Sequence, residues 1–177
     1  MKRADLEHII RASADIADDD EIIIVGSQAI LGQFPHAPSE LLVSVEADVY
    51  PRNHVERWEL IDGSIGELSP FHRTFGYYAQ GVQPGTAILP AGWEDRLVAI
   101  ANSNTRGAKG LCIEIHDLAI SKYVAGREKD GVFLNVAIEH GLLNQATLLE
   151  RLATTPIDEH RRDLSRARVL ADFRRAE

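Results

Sequence analysis

Cysteine is almost absent: Cys112 is the only one in 177 residues. No internal disulfide can form, and no thiolate zinc site can be assembled. Cys112 lies in an apolar run and reads as a buried, inert thiol. No apolar run approaches the roughly 20 residues that span a bilayer, so no membrane association is expected. The opening residues, MKRADLEHII, carry acids early and lack the apolar stretch of a secretory signal. The expected location is the cytoplasm. A positive charge balance is also missing. The formal net charge of -8 disfavours non-specific nucleic-acid binding by the surface as a whole. No two histidines stand at HxH or HxxxH spacing. His72 and His116 are therefore isolated candidates for ligation or acid–base work, each with a structural alternative.

What is present is ordinary for a globular chain, with 45% hydrophobic and 26% charged residues. Residues 2–17 place Leu6, Ile9, Ile10 and Ile16 on one stripe and predict an amphipathic helix. Asp18, Asp19 and Asp20 end it as a solvated turn. Residues 21–25 form a β-branched run suited to a buried strand. Residues 41–50 predict a second strand, 52–62 a helix, and 74–82 an aromatic strand. Residues 96–102 and 110–115, separated by SNTRGAKG, predict a hairpin. Four helices follow. The first covers 116–126 with Asp117 as its cap. The second covers 130–140. The third is capped by Asn144, with Leu143 and Leu148 as a staple. The fourth opens at Thr155-Pro156. This order predicts an α+β fold: a small mixed sheet flanked by helices, with a helical C-terminal part. Residues 1–115 form the expected α/β core and 116–177 the helical part packed on it.

The chemistry concentrates in residues 22–51, IIIVGSQAILGQFPHAPSELLVSVEADVYP. Gly26-Ser27 ends a strand and opens a helical turn, which presents free backbone N–H groups suited to phosphate. It is no P-loop, because the Lys-Ser/Thr ending is missing, and no dinucleotide fingerprint, because the later glycines are missing. Glu46 and Asp48 alternate with Val45, Ala47 and Val49, so both carboxylates point to one face of a strand. Hard cations such as Mg²⁺ prefer carboxylate and phosphate oxygens together. Surface acids on an amphipathic strand are the plain alternative, as is a glycine used only for its backbone freedom.

Residues 116–130, HDLAISKYVAGREKD, supply the opposite charge. Lys122, Arg127 and Lys129 suit phosphate oxygens, Lys as a point charge and Arg as a fork. Solvent-exposed basic residues on a helix are the alternative. Asp130 and Glu114 are both candidates for a further acid, to support a metal or to orient Lys122. Tyr77 and Tyr78 are candidates to stack a base or to sit in the core. The C-terminal segment carries Arg161, Arg162, Arg166, Arg168, Arg174 and Arg175 among acids. It reads as a solvated helix with internal pairs or as a helix that contacts RNA.

The ordered set of Gly-Ser-Gln-Ala-Ile, then Glu46-Ala-Asp48, then Lys122 with Arg127-Glu-Lys129-Asp130 resembles the minimal nucleotidyltransferases of the DNA polymerase β-like superfamily. Within it the chain is similar to the AbiEii and MenT-type toxins and their uncharacterised relatives. The likeness runs from Ile22 to about Leu152, and residues 71–82, FHRTFGYYAQGV, look like a segment of one uncharacterised branch. It implies nucleotide binding at Gly26, Ser27, Lys122, Arg127 and Lys129. It implies Mg²⁺ on Glu46 and Asp48, with Lys122 and Asp130 completing the catalytic set. One departure is Glu46, where aspartate is commoner in the superfamily. The implied activity is Mg²⁺-dependent transfer of a nucleoside monophosphate from a nucleoside triphosphate to an acceptor hydroxyl. An RNA such as tRNA is the implied acceptor, and the setting a toxin–antitoxin pair with a cognate antitoxin. The alternatives are a non-catalytic nucleotide- or RNA-binding module and a small-molecule nucleotidyltransferase.

Overall fold

A computed structural model describes residues 1–176. Helix α1 (Arg3–Ala17) buries Leu6, Ile9 and Ile10 against the sheet side of the core and ends at Asp18 in the left-handed region, φ 50°. The acidic run after it is a turn, as expected, but Asp19 is not solvated. It is buried, and its oxygens accept from Glu21 N, Asn53 N and His54 N. These bonds close the path from α1 into strand β1 (Glu21–Ile24).

Strand β1 lies at the centre of a five-stranded sheet. It pairs antiparallel with β2 (Glu46–Pro51) on one side and parallel with β5 (Lys109–Cys112) on the other. Beyond β2 lies β3 (Tyr78–Gly81), parallel to it, and beyond β5 lies β4 (Val98–Ile100), antiparallel to it. A central strand covered on both faces favours β-branched apolar residues, and Ile22, Ile23 and Ile24 are buried accordingly. The mixed sheet, the flanking helices and the β4–β5 hairpin follow the expectation.

Three elements depart from it in detail. The second strand does not start at residue 41. Ser39–Leu41 is a 3-10 turn, and β2 begins at Glu46. Residues 42–44 have no partner strand, and the Ser44 hydroxyl bonds to Glu46 N and O in place of a ladder, whereas Val45 O already accepts from Tyr78 N of β3. Val43 is left 79% exposed. Next, the aromatic strand expected over 74–82 shrinks to β3. Ser69 accepts from His72 N, Pro70 takes the first helical position, and helix α4 (Pro70–Phe75) runs to Gly76 at φ 77°. A start signal and a glycine stop outweigh the β propensity of the aromatics. Helix α3 (Trp58–Ile65) precedes it and buries Ile61 and Ile65.

The third departure concerns helix caps. Helix α5 (Ile115–Ala125) is capped by Glu114, which accepts from His116 N, not by Asp117. Asp117 is instead buried and paired with Arg96 and Arg151. The last helix, α8 (Glu159–Ala176), starts well after Thr155-Pro156, with Asp158 Oδ1 accepting from Arg161 N. The Thr155 hydroxyl donates to Arg151 O, which commits it to the end of the preceding helix. Helices α6 (Glu128–Glu139) and α7 (Gln145–Ala153) fall where expected, α7 with Asn144 as its cap. One apolar cluster runs from Leu6 on α1 through the sheet to Leu134, Leu148 and Val169. Among the described residues no helix is long and apolar enough to cross a membrane.

Candidate active site

The Gly26-Ser27 turn follows β1 directly, at the level of the sheet where Glu46 and Asp48 emerge from β2. Val25 N donates to Asp48 O at 3.0 Å, which continues the β1–β2 pairing one residue past the strand. Gly26 has φ −83°, so it is not a glycine for the sake of a left-handed turn. Space is the reason. A Cβ on Gly26 would lie 2.0 Å from Asp48 Oδ2, so the carboxylate rests against the bare Cα of the turn. The short helix α2 (Ile30–Gln33) follows the turn.

The opposite wall comes from α5 and α6. Lys122 Nζ donates to Ser27 Oγ at 2.8 Å and to Asp130 Oδ1 at 3.1 Å. Arg127 Nε donates to the other oxygen of Asp130 at 2.7 Å. The Lys122 ammonium also lies 4.5 Å from the Phe133 ring centroid, a cation–π contact. Lys122 is thus no outward-facing basic residue: it is buried, and its ammonium ties the glycine turn to α6. The Gly26-Ser27 turn, parts of the 40–48 segment and one face of α5 and α6, with Thr86, Ala87, Ile88 and Arg161, line a cavity of about 560 Å³. Gly26, Ser27, Glu46, Asp48, Lys122, Arg127, Lys129 and Asp130 all reach it. Four carboxylates and four cations line it, since Glu40 and Arg161 join the residues already named.

The electrostatics follow from burial and neighbours. Burial pushes the Asp48 carboxyl above its ordinary range, and the nearby Glu46 charge adds to the effect. Burial likewise pulls the Lys122 ammonium below its ordinary value, against the attraction of Asp130. For Asp130 burial works upward, but hydrogen bonds from Arg127 and Lys122 outweigh it and hold the carboxyl below the usual value.

The other candidates fall elsewhere. Glu114 does not line the cavity. It accepts from the His116 ring at 2.8 Å and pairs with Arg151. His116 Nε2 accepts from Asn144 N at 3.0 Å, so this histidine joins α5 to α7. His72 Nδ1 accepts from Leu68 N. Tyr77 meets His8 within an aromatic group that includes Phe71 and Phe75. Neither tyrosine lines the cavity, yet the Tyr78 hydroxyl donates to Glu46 Oε2 at 2.8 Å. Cys112 is fully buried, with its thiol pushed up to about 12 by desolvation.

The arginine-rich tail is largely engaged within the fold. Arg162 donates to Thr155 O and Ile157 O, Arg168 to Tyr123 O, and Arg174 to Leu170 O. Arg175 pairs with Asp172. Arg161 is the tail arginine that reaches the cavity. The sequence offered no signal for that, because the angle of α8 against α5 decides which arginine points inward.

A mixed sheet with a glycine turn, an acid-x-acid strand and a buried lysine around one cavity defines a protein of the nucleotidyltransferase class. Over residues 4–173 the chain matches the family model described as "Nucleotidyltransferase of unknown function (DUF6036)", and it belongs to that family. No curated protein and no solved structure matches the chain.

Proposed function

We propose that the protein is a Mg²⁺-dependent nucleotidyltransferase that moves a nucleoside monophosphate from a nucleoside triphosphate to an acceptor hydroxyl. The carrying observation is the contact of the Asp48 carboxylate with the bare Cα of Gly26. It supports the reading because the Gly26-Ser27 turn and the acid pair line the same cavity, and Lys122 bonds to Ser27 there.

The donor set suits Mg²⁺. The Asp48 carboxyl carries the cost of burial and of a like charge at Glu46, and a divalent cation relieves both. Mg²⁺ is commonly held by one or two carboxylates together with substrate phosphates. Two protein carboxylates are what this wall provides; among the described residues no group of three or more His, Cys, Asp or Glu is placed to hold a metal. Glu46 and Asp48 would hold the ion, which when bound neutralises phosphate charge and makes the α-phosphorus more electrophilic.

The protein's own work is positioning and charge. The backbone N–H groups of the Gly26-Ser27 turn receive phosphate oxygens. Lys122, held by Asp130, places one positive charge beside Ser27, and Arg127 and Lys129 extend it along the triphosphate. The acceptor hydroxyl releases its proton to solvent, its oxygen bonds to the α-phosphorus as the bond from that phosphorus to the bridging β-phosphate oxygen breaks, and pyrophosphate leaves. No side-chain nucleophile takes part.

The acceptor we favour is RNA, tRNA among them, with the protein acting as an AbiEii/MenT-like toxin neutralised by a cognate antitoxin. The sequence motifs support this part of the reading. A second reading is a binding module without catalysis; the absence of a third acidic residue at the acid pair among the described residues favours it. Incubation with α-labelled nucleoside triphosphates, Mg²⁺ and total RNA distinguishes them. Label is expected on RNA with the wild type and none with Asp48→Ala. Labelling that survives Asp48→Ala refutes the site, and a wild type that labels nothing refutes catalysis on RNA.

A further inference from the structure

We infer that Tyr78 is a positioning residue that fixes the carboxylate of Glu46 for cation binding, an inference that rests on the function proposed above. The tyrosine hydroxyl donates to Glu46 Oε2 at 2.8 Å. Strand pairing builds in the contact: Glu46 and Tyr78 are Cα partners across the parallel β2–β3 ladder, so both side chains leave the sheet on the same face.

The phenol is itself held. Tyr78 is 6% exposed, and the His72 ring lies against it with centroids 4.6 Å apart. His72 is fixed in turn by the hydrogen bond from Leu68 N and by the Ser69 cap of α4. The short helix that replaces the expected strand thus supports the phenol, and the phenol supports the acid.

With Oε2 occupied, Glu46 offers Oε1 to a cation and acts as a one-oxygen ligand. A glutamate has one more rotatable bond than an aspartate, and freezing a free side chain costs on the order of 1 kcal/mol. The phenol takes up that ordering in the folded protein before any cation arrives. The neighbouring pair is arranged differently. Gln80, the partner of Asp48 in the same ladder, donates to Asp62 instead. Asp48 therefore depends on its seat against Gly26, whereas Glu46 depends on Tyr78. A glutamate at this position is thereby matched to its setting, since an aspartate would fall short of the phenol.

The test is Mn²⁺ binding in the presence of inorganic tripolyphosphate, followed by the electron paramagnetic resonance signal of free Mn²⁺. Tyr78→Phe should weaken Mn²⁺ binding about tenfold, the size typical of losing a group that orients a metal ligand. Tripolyphosphate binding without Mn²⁺ should not change. In a Glu46→Ala background the same substitution should have no further effect. Equal losses in both backgrounds, or no loss beside Glu46, overturn the assignment. Glu46→Asp provides a second route should Tyr78→Phe fold poorly: it withdraws the carboxylate from the phenol, and unchanged Mn²⁺ affinity overturns the inference. If Asp48→Ala abolishes Mn²⁺ binding while Tyr78→Phe leaves it intact, Tyr78 falls and the site stands. A wild type that binds no Mn²⁺ overturns both.

Discussion

Alanine at Gly26 is the sharpest perturbation the fold suggests. The added methyl would sit 2.0 Å from Asp48 Oδ2 and 2.7 Å from its Cγ. Ordinary contact begins at 3.4 Å, so the shortfall is about 1.4 Å. The backbone of Asp48 cannot retreat easily, because Val25 N holds its carbonyl at 3.0 Å and β2 is paired on both sides. The carboxylate must therefore swing off the turn. Overpacking of this kind costs about 1–3 kcal/mol, or roughly 5 °C in melting temperature for a chain of this size. A displacement of about 1 Å at a catalytic group costs on the order of a hundredfold in rate. Gly26→Ala should lower the thermal midpoint and reduce nucleotide labelling at least that much. Gly63→Ala is the control: a Cβ there meets nothing within 4 Å, and Gly63 lies inside α3. That change should raise stability by about 0.5–1 kcal/mol. If Gly26→Ala melts at or above wild type and labels normally, Asp48 does not rest on the turn and the geometry is refuted.

Lys122→Met removes the ammonium shared by Ser27 and Asp130 but leaves Asp130 its Arg127 partner. Stability should fall by about 1–3 kcal/mol in urea titrations, less than for a fully orphaned buried charge, while triphosphate binding by calorimetry should disappear. Burial works to raise the Glu114 carboxyl, but the His116 ring and Arg151 bring it from 4.5 down to about 2. Its folded pKa is depressed, so its contribution of about 3 kcal/mol is fully present above pH 4.5 and is lost as pH falls towards 2. Glu114→Gln should remove that contribution at neutral pH and flatten stability against pH between about 5 and 2; an unchanged acid limb in urea titrations would show that His116 and Arg151 do not hold the carboxylate.

Much of the fold was legible because its signals are local. The isoleucines of β1 suit a strand buried on both faces, and the stripe on α1 suits a helix packed on one. The acid pair was legible for the same reason, since strand alternation alone puts Glu46 and Asp48 on one face. The start of β2 was not, because Leu42 and Val43 have strand character but no strand beside them. Nor was α4, where Ser69 and Pro70 prevail over aromatic residues that suit a strand equally well. At the site, Lys122 read as the outer side of a helix because periodicity does not tell a solvated face from one that lines a cavity. The choice between Glu114 and Asp130 as its partner depends on how α5 meets α6, a distance no spacing encodes. The Tyr78–Glu46 bond depends on the register of two strands 32 positions apart, and the role of Arg161 on the angle of the last helix.

That last helix has a further consequence. Arg168 donates to Tyr123 O near the end of α5, and its guanidinium occupies the space where a Cβ on Gly126 would lie, at φ 63°. The same arginine therefore bonds one carbonyl near the end of the helix that carries Lys122 and fills the gap beside its capping glycine. α8 acts as a splint: it supplies Arg161 to the cavity and braces the end of α5 through Ser165 and Arg168. Loss of the residues beyond 158 would remove Arg161 from the cavity and leave the end of α5 without the Arg168 contact, while Lys122 keeps its bonds to Ser27 and Asp130.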